Sequence, residues 1–224
     1  MRVSSRRALV WVLILGLAAL GACASTRDEE MRRLQARSTY EQALRNLADK
    51  RLSLGLASLR EAVLLDPENP LFRNTLGVVY LDMRRPADAQ AEFQLAVERD
   101  PDYAEAYHNL GLAHAEQGRF AEAVGAYRKA LSFPTYATPE VAYHNLGNAH
   151  FRQDQLREAE EAFRAALQLE PRLIGAHYGL GLALMRVGRR DEAKVSFKTA
   201  RDLDPTSAFG QAAAEALKAL GDGG

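Results

Sequence analysis

The chain writes one octapeptide twice, YHNLGLAH from Tyr107 to His114 and YHNLGNAH from Tyr143 to His150, with seven of eight letters alike and 36 residues between copies. A duplication of that length is an internal repeat, and repeats of this size stack as supersecondary units, each burying its apolar face against the next. Reading outward, Leu-Gly recurs at Leu76-Gly77, Leu110-Gly111, Leu146-Gly147 and Leu180-Gly181, at steps of 34, 36 and 34. A chain of 224 residues built this way needs no single central core.

Further positions keep the same period. Twelve residues after each Gly stands an alanine (Ala89, Ala123, Ala159, Ala193), four later an aromatic (Phe93, Tyr127, Phe163, Phe197) and three later a second alanine (Ala96, Ala130, Ala166, Ala200). Pro101, Pro171 and Pro205 follow in three of the units. The small residues let two helices approach, the ring fills the gap between units, and proline ends the second helix because it has no N–H to donate. The pattern resembles the tetratricopeptide repeat, a helix-turn-helix unit of about 34 residues. That resemblance implies an all-α fold: a tetratricopeptide-repeat solenoid of about five repeats plus a C-terminal capping helix, wound as a right-handed superhelix.

Ahead of the repeats, Arg2, Arg6 and Arg7 precede an apolar run from Ala8 to Leu20, shorter than the roughly 20 residues a membrane span takes. The run ends in Leu20-Gly21-Ala22-Cys23. Residues 1–22 read as a targeting segment and not as fold. Their end resembles the lipobox of bacterial lipoproteins, whose cysteine is acylated and becomes the mature N-terminus; a plain secretory peptide is the alternative. Cys23 is the only cysteine, so it has no intramolecular disulfide partner. Lipidation at Cys23 is expected, and no cofactor beyond that covalent lipid. Two or three chains, at about 0.8 kcal/mol per buried CH₂, make a durable anchor. Ala24 follows the cysteine where Asp would direct retention, which implies the outer membrane.

Residues 23–33 then read as lipidated Cys and charged tether, 34–67 as a degenerate first repeat with Gly55 where alanine is expected, 70–205 as repeats two to five, and 206–224 as capping helix and frayed tail. Asn69 before Pro70, Thr138, and Thr206 or Ser207 are the expected N-caps. The junction after the third repeat, Ser132 to Glu140, is two residues longer than the others.

With Arg2, Arg6 and Arg7 set aside, 29 − 3 = 26 basic residues face 29 acidic ones without a basic cluster, a poor footprint for nucleic acid. His108 and His144 stand one repeat apart, as do His114 and His150. That spacing is about 10 Å between helix axes, whereas zinc ligands lie about 2.0–2.3 Å from one ion. No metal site is expected, and His114 and His150 read as core. There is no G-x-S-x-G elbow, H-E-x-x-H or phosphate-cradling loop. Glu160-Glu161 beside Arg157 and Arg164 reads as a solvated charge stripe. Neither an enzyme nor a small-molecule substrate is expected.

A stack of such units offers a groove lined by its first helices. With Leu-Gly at positions 7 and 8 of the unit, the groove positions are Asn74, Val78 and Leu81, then His108 and Leu112, then His144, Asn148 and Phe151, then Tyr178, Leu182 and Met185. Asn109 and Asn145 stand at a place some repeats use to clamp a carboxylate, without the companion lysines. Leu112, Phe151, Tyr178, Leu182 and Met185 would present apolar anchors to an amphipathic helix or extended apolar segment.

The lipobox, the charged lead, GVVYLDMRRPADAQAEF from Gly77 to Phe93 and, above all, the junction FPTYATPEVAYHNLG from Phe133 to Gly147 resemble the type IV pilus pilotin family of outer-membrane lipoproteins. The resemblance implies a monomer on the periplasmic face of the outer membrane that binds secretin subunits and promotes their insertion and multimerisation. A lipid-anchored periplasmic scaffold for another envelope machine, in polysaccharide export or wall synthesis, is the alternative, since fold does not fix function.

Overall fold

The computed structural model describes residues 27–221; the targeting segment, Cys23 and Ala24 lie outside the described residues. Among the described residues there are eleven helices and no strand: α1 (27–48), α2 (Leu52–Leu65), α3 (Pro70–Asp82), α4 (Pro86–Arg99), α5 (Ala104–Glu116), α6 (Phe120–Leu131), α7 (Pro139–Arg152), α8 (Leu156–Leu169), α9 (Ile174–Arg186), α10 (Arg190–Leu203) and α11 (Ala208–Ala219). They form two compact units, Met1–Leu76 and Gly77–Gly224.

In the first unit the expected tether is corrected over residues 27–33, which are helical. Arg and Glu are good helix formers, and Arg33 reaches back one turn to Glu29 at 2.7 Å. Ala36, Ala62 and Phe72 form the core here, with Tyr40, Val63 and Leu65 around it. The Tyr40 ring stacks on Phe72 at 4.6 Å and its hydroxyl lies 3.0 Å from that of Thr75. These contacts draw the start of α3 into the first unit, which runs to Leu76. Asn69 caps α3 as expected, its side-chain oxygen accepting from the N–H groups of Leu71 at 3.1 Å and Phe72 at 3.4 Å.

The first repeat keeps the spacing of the others and departs from them at three positions. One 34-residue step before Gly77 and Ala89 stand Ala43 and Gly55, and before Phe93 stands Leu59. A Cβ on Gly55 would sit 2.6 Å from Leu47 Cδ2, so Leu47 would have to shift to admit one.

In the second unit each aromatic ring lies on the Leu-Gly glycine of its own repeat. A Cβ on Gly77, Gly111, Gly147 or Gly181 would come within 2.5, 2.5, 2.7 or 2.5 Å of Phe93, Tyr127, Phe163 or Phe197. A Cβ on Gly179 of the next repeat would likewise come within 2.5 Å of Phe163. Helices α4 to α11 pack each on the next in chain order. Helix α11 closes the series, burying Ala213 and Leu217 with Leu184, Phe197 and Ala200. Ser207 caps it, its Oγ accepting from the Gly210 N–H at 3.1 Å. Thr138 does not cap α7 with its side chain; its hydroxyl donates to the Tyr136 oxygen at 3.1 Å instead.

Between the two helices of each repeat the chain turns through one left-handed residue: Lys50 (φ 60°), Arg84 (58°), Gly118 (73°), Asp154 (60°) and Gly188 (81°). A non-glycine residue there costs roughly 1–2 kcal/mol, of which about 0.4–1 kcal/mol returns because glycine loosens the unfolded chain. Lys50→Gly is expected to raise stability by about 0.5 kcal/mol in urea titration, whereas Lys50→Val lowers it.

Candidate functional site

The exposed side of the first helices in the second unit carries three open cavities in a row. The first, about 290 Å³, is lined by Leu81, Asp82, Arg84, Leu112 and Glu116. The second, about 670 Å³, has Leu112, Phe120, Asn145, Asn148, Phe151 and Leu182 in its walls, with Glu116 and Arg152 at hand. The third, about 510 Å³, lies between Leu182 and Met185 on α9, Lys194 and Phe197 on α10 and Ala216 and Ala219 on α11. Leu112 and Glu116 belong to the first two cavities, and Leu182 to the last two. The three therefore form one cleft over the C-terminal halves of the first helices.

The N-terminal halves of those helices are filled by the chain itself. His108 is buried, with the Tyr136 hydroxyl 2.6 Å from its Nδ1 and the Asn145 amide nitrogen 3.4 Å from its Nε2. Burial pushes the imidazole down from its ordinary 6.5 to about 4, and raises the Tyr136 hydroxyl. Around Tyr136 the long junction packs Ala104, Ala130 and Ala142, with Phe133 stacked on Tyr107 at 6.0 Å. His144 has Phe163 6.0 Å and Phe209 6.2 Å away between ring centres, and burial lowers its imidazole too. Tyr178 lies 5.8 Å from both Phe197 and Phe209.

The expected groove is corrected at His108, which is buried. Leu81, Leu112, Asn148, Phe151, Leu182 and Met185 line the cleft, whereas His108 is buried under Tyr136, and His144 and Tyr178 stand half-buried beside Phe209, outside the three cavities. Asn145 reaches the cleft wall but turns its amide toward His108. Asn109 is half-buried, Val78 is exposed outside the three cavities, and Asn74 is buried in the first unit. Phe120 and Arg152 escaped the sequence reading: Phe120 opens a second helix, outside the rule for first-helix positions, and Arg152 lies one residue past the last of them.

The cleft is apolar in its floor and charged along its rim. Arg152 lies over the Phe120 ring at 4.8 Å and Arg186 over Phe151 at 5.7 Å, while Arg84 faces Glu116 at 3.6 Å. Such exposed pairs add little to stability. The remaining polar clusters are structural. His114 meets Arg119 at 2.7 Å and His150 meets Gln155 at 2.5 Å, each clasping the turn within its repeat. Glu160 is largely covered, at 18% side-chain exposure, and pairs with Arg164 at 2.9 Å and Arg189 at 2.7 Å, tying α8 to α10; it is no member of a solvated stripe. Among the described residues no three His, Cys, Asp or Glu side chains converge on a point a metal could occupy, and no helix is long and apolar enough to cross a membrane.

Models of the tetratricopeptide repeat match residues 74–139, 141–173 and 174–207. The Hsp70-Hsp90 organizing protein of Triticum aestivum is 35% identical over 72 residues, 32% of this chain and 12% of that protein. The matched stretch is less than a third of the length of each curated relative. Among solved structures, PilW, described as a widely conserved type IV pilus biogenesis factor, is 27% identical with a TM-score of 0.75 over 84% of this chain and 86% of its own. A MamA protein is 26% identical with a TM-score of 0.69 over 77% of this chain and 93% of its own.

Proposed function

Because this chain belongs to the tetratricopeptide-repeat family, whose members serve as protein-interaction scaffolds, we propose that it is an outer-membrane lipoprotein pilotin. It is anchored through Cys23, and it binds secretin subunits and promotes their insertion and multimerisation for type IV pilus assembly. The observation that carries this reading is the apolar cleft through Leu112, Phe151 and Leu182, and the likeness to PilW supports it. An unassembled secretin subunit presents unpaired strand edges and apolar surface. A cleft with ring and aliphatic walls holds an amphipathic segment of such a client by removing that surface from water. A lipid at Cys23 would keep the cleft within reach of the bilayer, raising effective client concentration into the mM range.

The test is the amount of heat- and SDS-resistant secretin multimer in outer membranes of cells lacking the gene and complemented with wild type, Cys23→Ala, Leu112→Glu or Phe151→Glu. Loss of multimer on deletion and its return with wild type alone is the expected outcome. Phe151→Glu and Leu112→Glu place a charge on half-buried apolar wall, and circular dichroism is expected to show both variants folded. Full assembly with both variants would remove the cleft from the function. Multimers indifferent to deletion would move the protein to a scaffold for another envelope machine, in polysaccharide export or wall synthesis.

A further inference from the structure

Seven of the exposed large apolar side chains fall within the first unit: Met31, Leu34, Leu44, Leu52, Leu54, Leu64 and Leu71. The α1–α2 hairpin sorts most of them to its two ends. Met31 (60% exposed), Leu34 (57%), Leu64 (81%) and Leu71 (45%) stand where α1 begins, α2 ends and α3 begins. Leu52 and Leu54 stand at the hairpin turn. Leu34 and Leu71 line one concavity of about 510 Å³, so they are neighbours across α1 and α3. On α1, Met31 and Leu34 project away from the face that buries Ala36 and Ala43.

Chain length decides between the two ends. Three residues separate Cys23 from Arg27, the first described residue of α1, and the four steps between them reach at most about 14 Å. A lipid on Cys23 therefore holds the start of α1 close to the headgroup layer, which is about 5–8 Å deep on each side of the hydrocarbon. The hairpin turn is some 20–30 Å away along helices that rise about 1.5 Å per residue.

We propose that Met31, Leu34, Leu64 and Leu71 seat in the headgroup layer of the leaflet that holds the lipid, so that the first unit stands end-on upon the membrane and is not merely leashed to it. This rests on the reading of Cys23 as lipidated. Exposed leucine and methionine gain by leaving water there, and the flanking Arg27, Arg32 and Arg33 keep their charged ends among the headgroups.

The test uses the full chain, acylated in cells, purified in detergent and returned to phosphatidylethanolamine and phosphatidylglycerol vesicles that include a lipid with a nitroxide high on its acyl chain. Trp11 is the only tryptophan and precedes Cys23, so after cleavage Leu34→Trp and Leu54→Trp each report alone. Leu34→Trp is expected to lose most of its emission to the nitroxide and Leu54→Trp to keep its own; Leu64→Trp is a second reporter at the seated end. Equal emission or equal quenching at the two ends, in protein that floats with the vesicles, overturns the seating and leaves the anchor standing. Protein without acyl mass on Cys23 that fails to float overturns the anchor, and the seating with it.

Discussion

Replacing Phe163 by alanine is expected to lower the unfolding free energy by about 3–5 kcal/mol, the range for removing a large aromatic from a core that cannot close over the gap. The ring is fully buried and lies between Gly147 and Gly179, where an added Cβ would come within 2.7 and 2.5 Å of it. Two of its walls are thus glycine backbone, and others are Ala159, Ala166 and Ala176. None of these has a side chain that can move into the void. Because repeats hold only to their neighbours, the deficit falls on the seam between α8 and α9. Urea denaturation followed by circular dichroism should show the midpoint drop, with α9 to α11 melting ahead of the rest. Phe163→Leu restores part of the loss. A change below about 1 kcal/mol in Phe163→Ala would mean that the seam is held by other contacts.

Acidification is expected to cost stability through His108. Its imidazole titrates near 6.5 when exposed and is pushed to about 4 by burial. Between those values the unfolded chain takes up a proton that the folded protein refuses, so stability is complete above pH 6.5 and is lost progressively as pH falls toward 4. The full difference is about 3 kcal/mol at 1.36 kcal/mol per pH unit. His144 and His114, also lowered chiefly by burial, act in the same sense. Urea midpoints at pH 7.5 and 4.5 measure the loss, and His108→Gln, which keeps a polar partner for Tyr136 but does not titrate, should flatten most of it. An unchanged pH dependence in His108→Gln would place the proton uptake elsewhere.

The repeat frame was legible because its letters report backbone crowding: a ring needs a glycine under it, and the four Gly–aromatic pairs are printed at one spacing. The first repeat keeps the spacing with its two small residues exchanged and Leu59 standing where the rings stand elsewhere. The site was legible by halves. Leu81, Leu112, Asn148, Phe151, Leu182 and Met185 follow from position within a unit, since every stacked repeat exposes the same stripe of its first helix. His108 obeys the same rule yet is buried, and His144 and Tyr178 are half-buried outside the cavities, because Tyr136 comes from a junction and Phe209 from the capping helix. Neither lies within the stripe, so no periodicity could assign them to it. The helix over residues 27–33 has another origin: a highly charged stretch suits a tether or a helix, and Arg and Glu spaced four apart support the helix.

The shared walls at Leu112 and Leu182 also make the cleft a gauge of length. From the end of α3 to α11 it crosses five first helices in four steps of about 10 Å each, a path near 40 Å. An extended strand covers that distance in about 12 residues, and a helix in about 27. A shorter segment leaves one pocket wet, and a longer one overhangs.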